Sequence, residues 1–452
     1  MVAPARTAAY EALRAILSRA QDLPAALARS RQRLTDGRDR ALAAEIVTGT
    51  LRWLRSLDFL VEYFANREPR KMDLEVLTIL RLSVYQLLHL DRVPASAVVD
   101  DAVDLTRATR KPSATGFVNA VLRSLLRQRH KLPLPPRPAS SDRDDRLAYL
   151  GITHSHPDWL IERWLARHSF DEVEAWTRFD NEAPSLTVRV NTLRSSVEDA
   201  QRQLEADGVE TERTRYAPHG LVVTAGNPLQ REPDGLVVVQ DEASQLVPLV
   251  VDPQPGERVL DLCASPGGKT TAMAAAMGDT GMIVASDIRP RRVELLKHAV
   301  HISGATTVRI LHVGGNGALP FKKGFDRVLV DAPCSGLGTI RRDPDIRWRR
   351  SIDDLPVLAE RQVQLLQRAA SAVSPGGRLV YATCSSEPEE NEQVVDAFLE
   401  VQKQFELLDL RGEKLPEALA PLFDDRGMFR TLPFRDGLEA FFAAVVVRSR
   451  TP

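Results

Sequence analysis

Apolar residues recur at helical spacing through the first quarter of the chain. Tyr10, Leu13, Ile16 and Leu17 fall on one face, as do Leu74, Leu77, Leu80, Val84, Leu87 and Leu88, so residues 5–130 are predicted to form a compact all-α bundle. Thr35 or Asp36, and Asp73, stand where a short polar side chain caps the free N–H groups of a helix start. The pattern stops at Leu132-Pro-Leu-Pro-Pro-Arg-Pro138 and the Ser-Ser-Asp-Arg-Asp-Asp that follows. That stiff, polar stretch cannot continue a helix and marks a domain boundary.

Residues 151–235 mix a helical pattern over 159–170 and 197–206 with strand-like runs at 186–190 and 221–224, as a small α+β subdomain does. After Gly256 the text changes. Short β-rich runs at 258–262, 282–286, 308–311, 327–330 and 378–382 alternate with helical or loop segments, which predicts a parallel, doubly wound α/β sheet. Residues 405–410 and 441–447 are expected to pair as an antiparallel hairpin at its edge. The expected organisation is a helical domain at 1–131, a linker at 132–150, the α+β subdomain at 151–235 and a Rossmann-like domain at 236–452.

The composition is that of an ordinary globular protein, 43% apolar and 27% charged over 452 residues. No run of about 18 apolar residues is available to span a bilayer, and the N-terminus lacks the apolar core of a secretory signal, so the cytoplasm is the expected location. Three cysteines, Cys263, Cys334 and Cys384, provide neither a disulfide framework nor zinc-site spacing, and no metal is expected. The net charge of -1 hides an asymmetry: residues 1–140 carry 23 Lys and Arg against 14 Asp and Glu. A basic lobe suits a polyanionic partner and suits equally a solvated Arg-rich helical surface.

Chemistry concentrates where the predicted parallel strands end. Val259-Leu-Asp-Leu262 runs into Cys263-Ala264-Ser265-Pro266-Gly267-Gly268-Lys269-Thr270 and a helix predicted over 271–277, and Asp287 stands nineteen residues after Gly268 at the end of the next strand. A glycine turn opening a helix, with an acidic group about 20 residues on for a ribose diol, indicates an adenosine-containing cofactor. The loop is neither Gly-x-x-x-x-Gly-Lys-Ser/Thr nor Gly-x-Gly-x-x-Gly, which disfavours ATP or a dinucleotide. The fourth strand ends Val328-Leu-Val-Asp331-Ala-Pro-Cys334-Ser-Gly, and the fifth ends Tyr381-Ala-Thr-Cys384-Ser-Ser386. A lone cysteine is usually inert packing, but all three here sit at strand C-termini, where backbone N–H groups lower a thiol pKa and favour a nucleophile.

These blocks resemble the RNA cytosine-carbon-5 methyltransferases, which use S-adenosylmethionine, over roughly residues 150–452. The helical region is similar to the NusB-like RNA-binding domain through Asp39-Arg-Ala-Leu-Ala-Ala-Glu-Ile-Val-Thr-Gly-Thr50 and Gly116-Phe-Val-Asn-Ala-Val-Leu-Arg123, and that fusion resembles the bacterial RsmB/Sun type, which methylates a cytosine of 16S rRNA. The resemblance implies that Cys384 attacks carbon 6 of the base and that Cys334 assists product release. Residue chemistry alone leaves the order of the two thiols open, because other cytosine methylases place the attacking thiol in a Pro-Cys loop like that of Cys334.

Asp331 is open to three readings: a contact to the cytosine ring, a place beside the methionine amine, or a plain turn cap. The family's acidic contact to the adenine amino group falls at Val313-Gly-Gly-Asn316-Gly, where Asn316 offers a carbonyl but no charge. Cys263, Ala264, Ser265, Pro266, Gly267, Gly268, Lys269, Asp287, Asn316 and Asp331 form the expected cofactor set, and Cys384, Cys334 and Asp331 the catalytic one.

The subdomain around Arg189-Val-Asn-Thr192 resembles the family's RNA-positioning part. Arg341-Arg-Asp-Pro-Asp-Ile-Arg-Trp348 suits phosphate contact and stacking, and suits equally an exposed salt-bridged loop. The expected partner is RNA, with no membrane and no DNA. Alternatives are the same chemistry on tRNA or another rRNA site, and a non-catalytic RNA-binding adaptor, which the intact cysteines and glycine turn speak against.

Overall fold

The computed structural model describes residues 2–231, 234–315 and 317–450. The chain forms two compact units, one of Met1–Ala183 with Ile340–Ile352, the other of Pro184–Thr339 with Asp353–Pro452.

The first unit is helical. Pro4–Leu17, Leu23–Arg33, Gly37–Arg52, Leu54–Ala65, Leu74–His89, Ala95–Ala108 and Thr115–Gln128 are α-helices. Asp36 caps the third as expected, accepting from Arg38 N at 2.6 Å. Asp73 precedes its helix without a side-chain cap bond. Leu74–His89 is more than one apolar stripe, because its residues from Val76 to Gln86 are all buried. A helix enclosed on every side must satisfy its polar groups internally. Thr78 Oγ1 donates to Leu74 O, Arg81 binds Asp58 in bidentate fashion at 2.6 and 2.7 Å, and Gln86 accepts from Arg6 Nε at 2.7 Å. Gly49 lets Tyr85 lie against its backbone, since a Cβ there would fall 1.9 Å from the ring. The polar stretch after the prolines begins a helix rather than remaining linker, because Asp142 caps Arg143–Ala148.

Ile340–Ile352 packs within this unit, which corrects both readings for Arg347 and Trp348. Arg347 is wholly buried and donates to Ser155 O, Asn181 Oδ1 and Asp180 O at 2.9–3.2 Å. Trp348 Nε1 donates to Leu51 O at 2.7 Å, and Arg341 lies 4.3 Å from the Phe179 ring centroid. These groups are anchors, spent on buried backbone carbonyls that would otherwise lack donors. His154 and His156 are buried beside them, and burial first of all lowers both pKa values, that of His154 to about 4.

The second unit holds two sheets. The smaller is antiparallel, in the order Glu210–Arg213, Gly220–Ala225, Leu186–Val190, Val237–Val239, with the helix Val197–Ala206 closing its core through Val197, Ala200 and Leu204. Arg189 and Asn191 face inward. Arg189 donates to Gln240 Oε1, Gly268 O and Thr271 Oγ1, while Asn191 Nδ2 donates to Gly235 O and Ser303 O. Both tie the small sheet to helices of the larger one.

The large sheet runs Phe405–Leu407, Phe442–Arg448, Val373–Thr383, Phe325–Asp331, Arg258–Asp261, Met282–Asp287, Val308–His312. The last five strands are parallel to one another. Phe442–Arg448 pairs antiparallel with both Val373–Thr383 and Phe405–Leu407, so the expected edge hairpin is a pairing with intervening chain between its strands. Strand order reverses between Arg258–Asp261 and Phe325–Asp331, the switch point beyond whose carboxyl ends such sheets bind ligands. Among the described residues no helix is long and apolar enough to cross a membrane.

Candidate active site

The cofactor turn grows out of the strand Arg258–Asp261. Gly267 takes φ +113°, a region that favours glycine, and begins the helix Gly268–Ala276, three residues earlier than the sequence pattern predicts. Asp261 is 1% exposed. Its Oδ2 accepts from Thr270 Oγ1 at 2.7 Å, while Oδ1 is buried with no hydrogen-bond partner among the described residues. Burial, reinforced by the charge of Asp331, pushes its pKa up to about 7. Asp287 is also buried; its Oδ1 accepts from Arg289 N at 3.0 Å, and Arg292 Nη1 lies 4.0 Å from its Oδ2. Ala264 N donates to Ser286 O and Ser265 Oγ to Arg292 O, which fixes the turn against the second strand and the helix after it. Burial and the carboxylates of Asp261, Asp331 and Asp287 push the Cys263 thiol up, so it stays a neutral wall of this pocket. Asn316 lies outside the described residues.

An unpartnered buried carboxyl oxygen beside two further acids suits a ligand carrying positive charge and a diol. S-adenosylmethionine has both, and this set fits it. Asp261→Asn is therefore expected to weaken its binding about tenfold by calorimetry, roughly one charge-assisted hydrogen bond, with the fold retained by circular dichroism. Unchanged affinity would remove Asp261 from the cofactor site.

The two remaining cysteines close on each other from adjacent parallel strands. Asp331 pairs with Ala382 in the sheet, and Ala332 N and Gly338 N, on either side of Cys334, donate to Ala382 O and Cys384 O at 2.8 and 3.0 Å. With both ends of its loop fastened to the neighbouring strand, Cys334 Sγ lies 3.2 Å from Cys384 Sγ. The hydrogen bond between the sulfurs, followed by burial, raises the Cys334 thiol well above its ordinary range.

Beside the pair, Lys269 Nζ binds Asp331 Oδ2 at 2.7 Å and lies 5.8 Å from the Phe441 ring centroid. Burial opposes the Lys269 charge, but Asp331, Cys384 and Asp261 together outweigh it and raise its pKa. A residue expected with the cofactor is hence joined to one expected with the catalytic thiols.

Glu390, Ser335 and Ser385 are missing from the sequence reading. Glu390 is fully buried and accepts from Ser335 N at 2.7 Å, Ser335 Oγ at 2.5 Å, Ser385 Oγ at 2.6 Å and Gln362 Nε2 at 3.0 Å. Each serine directly follows a cysteine of the pair, so one carboxyl group grips both loops. The available signal is the repeated Cys-Ser dipeptide, followed by an acidic run that reads as solvated surface until its burial is known.

Three family models match in chain order: a NusB family model over residues 3–127, a ferredoxin-like domain of RsmF/B-like methyltransferases over 156–230, and 16S rRNA methyltransferase RsmB/F over 248–447. A probable ribosomal RNA small subunit methyltransferase B of Bacillus subtilis is 36% identical over 89% of each chain. The ribosomal RNA small subunit methyltransferase B of Serratia proteamaculans is 32% identical over 98% of each. The solved structure of PH0851 is 30% identical, covers 99% of both chains and superposes with a TM-score of 0.79. With all three segments present in order and relatives matched along nearly their whole length, the chain belongs to the RsmB/F family of S-adenosylmethionine-dependent rRNA methyltransferases, in the form that carries a NusB domain.

Proposed function

We propose that this protein methylates carbon 5 of a cytosine in 16S rRNA through a covalent bond between the base and Cys384. The observation that carries the reading is the contact between Cys334 and Cys384 at the carboxyl ends of adjacent parallel strands, next to the Lys269–Asp331 pair. Carbon 5 of neutral cytosine is a poor nucleophile. When the Cys384 sulfur bonds to carbon 6, electron density moves to carbon 5 and makes it enamine-like. Bound S-adenosylmethionine supplies an electrophilic methyl group on a positively charged sulfur. The carbon 5 proton must then leave, and the bond between carbon 6 and sulfur must break to free the enzyme.

The protein's own groups suit these demands. Lys269, paired with Asp331, puts a positive charge next to the thiol pair. On this reading Cys334, in contact with the Cys384 sulfur, donates its S–H to it and so favours its departure from carbon 6. Asp331, held by Lys269, takes on this reading the part of acceptor for an N–H of the base as the ring gains electron density. Presenting carbon 6 requires an unstacked base, at a cost of a few kcal/mol that contacts to flanking nucleotides must offset.

The relatives named for the small ribosomal subunit point to 16S rRNA as substrate. Incubation with labelled S-adenosylmethionine and either naked 16S rRNA or assembled small subunits, followed by nucleoside analysis, is expected to give 5-methylcytidine in 16S rRNA. Label in tRNA alone would move the reaction to another RNA; label on adenine, or none, would overturn it.

A further inference from the structure

We infer that Cys334 and Cys384 are an intramolecular disulfide site, closed by a hydroperoxide and reopened by a dithiol reductant. The sulfurs are 3.2 Å apart before any reaction. A disulfide bond is about 2.05 Å long, so closure asks for about 1 Å of approach, within reach of small side-chain rotations. The surrounding structure keeps the two thiols from parting. Glu390 holds the serine after each cysteine, Asn391 Nδ2 donates to Ser385 O at 3.0 Å, and the loop carrying Cys334 is fastened at Ala332 and at Gly338. Gly338 is fixed in turn by its contact with Ala440, whose carbonyl oxygen would lie 1.9 Å from a Cβ there. Both cysteines are half-buried rather than sealed in the core, which leaves a route for a molecule as small as hydrogen peroxide.

The chemistry balances in two steps. The Cys384 sulfur attacks one peroxide oxygen, the O–O bond breaks and water leaves, so that Cys384 becomes a sulfenic acid. The Cys334 sulfur then attacks the Cys384 sulfur, the S–O bond breaks, and the Cys334 proton leaves in a second water. Two thiols lose two electrons in all, and one hydrogen peroxide becomes two waters. A dithiol reverses the change by thiol exchange and returns both electrons. Cys263 takes no part, as a neutral thiol among carboxylates at the end of a different strand. Bond formation itself does not depend on the proposed methylation. The consequence for activity rests on the proposed role of Cys384, since a disulfide leaves neither thiol able to add to a base.

The test uses the full-length reduced protein. After exposure to hydrogen peroxide and alkylation under denaturing conditions, peptide mass spectrometry is expected to find the Cys334 and Cys384 peptides linked, lighter by two hydrogens than the two thiols, with Cys263 alkylated. Methylation is expected to fall about tenfold or more and to return with dithiothreitol. In Cys334→Ser the oxidised Cys384 should instead be trapped by dimedone as a sulfenic acid. Separate sulfinic acids on Cys334 and Cys384 in the unaltered protein, no oxidation, or a link through Cys263 would overturn the inference. A confirmed link with undiminished methylation would leave the disulfide site standing and remove Cys384 from its proposed role as nucleophile.

Discussion

Cys384→Ala is expected to abolish methyl transfer, by about 10³-fold or more, and to form no protein–RNA adduct. Cys334→Ala should also turn over poorly but fail differently, by accumulating an adduct that survives denaturation and migrates as a slower band on a denaturing gel. The two outcomes follow from unequal roles for thiols in contact. Without Cys384 no sulfur is placed to add to carbon 6, and the base stays unactivated. Without Cys334, addition and methylation proceed, but the Cys384 sulfur loses the S–H donor held 3.2 Å away that favours its departure. In the proposed assignment Cys334 is the donor and Cys384 the attacker. The double variant should form no adduct, since trapping requires Cys384. An adduct in Cys384→Ala and none in Cys334→Ala would exchange the two roles.

Elements with strong periodicity were legible in the sequence, as were chemical groups set by a turn. The five parallel strands fall where the β-rich runs lie, and the Cys334 and Cys384 loops meet at one end of the sheet because parallel strands all end on the same side. Polar residues whose partners are distant in sequence could not be read this way. Arg347 and Trp348 look like RNA contacts as residue types, and only the packing of Ile340–Ile352 against partners 166 to 297 residues earlier reveals them as anchors. The role of Arg189 is unreadable for the same reason, since its acceptors at Gln240, Gly268 and Thr271 lie 51 to 82 residues on. The Lys269 to Asp331 pair spans 62 residues, and no local rule distinguishes a lysine that touches a cofactor from one that holds a carboxylate. Pattern reports which face a residue occupies; it does not report what stands opposite.

Glu390 is where that limit matters most, and Glu390→Ala is expected to reduce methylation about 100-fold while leaving the affinity for S-adenosylmethionine within about twofold. The carboxyl group accepts four hydrogen bonds in a fully buried position. Removing it strands two hydroxyls, a backbone N–H and an amide, each costing about 1–3 kcal/mol if unsatisfied. Water entering the vacated space recovers part of this, so a net loss of about 3 kcal/mol is expected in chemical denaturation. The rate effect has a separate origin. Ser335 and Ser385 no longer share an acceptor, the two loops move independently, and the sulfurs spend less time in contact. The Asp261 and Asp287 contacts lie on other strands and are spared. Glu390→Gln is the control, because its carbonyl oxygen still accepts and the serine hydroxyls can rotate to accept from its amide, so it should recover most of the stability and part of the rate. A variant that lost stability and cofactor affinity together, with an unchanged rate per folded and loaded molecule, would reduce Glu390 to a packing residue. A rate that falls in the folded, cofactor-bound variant would make it the group that sets the spacing of the two thiols.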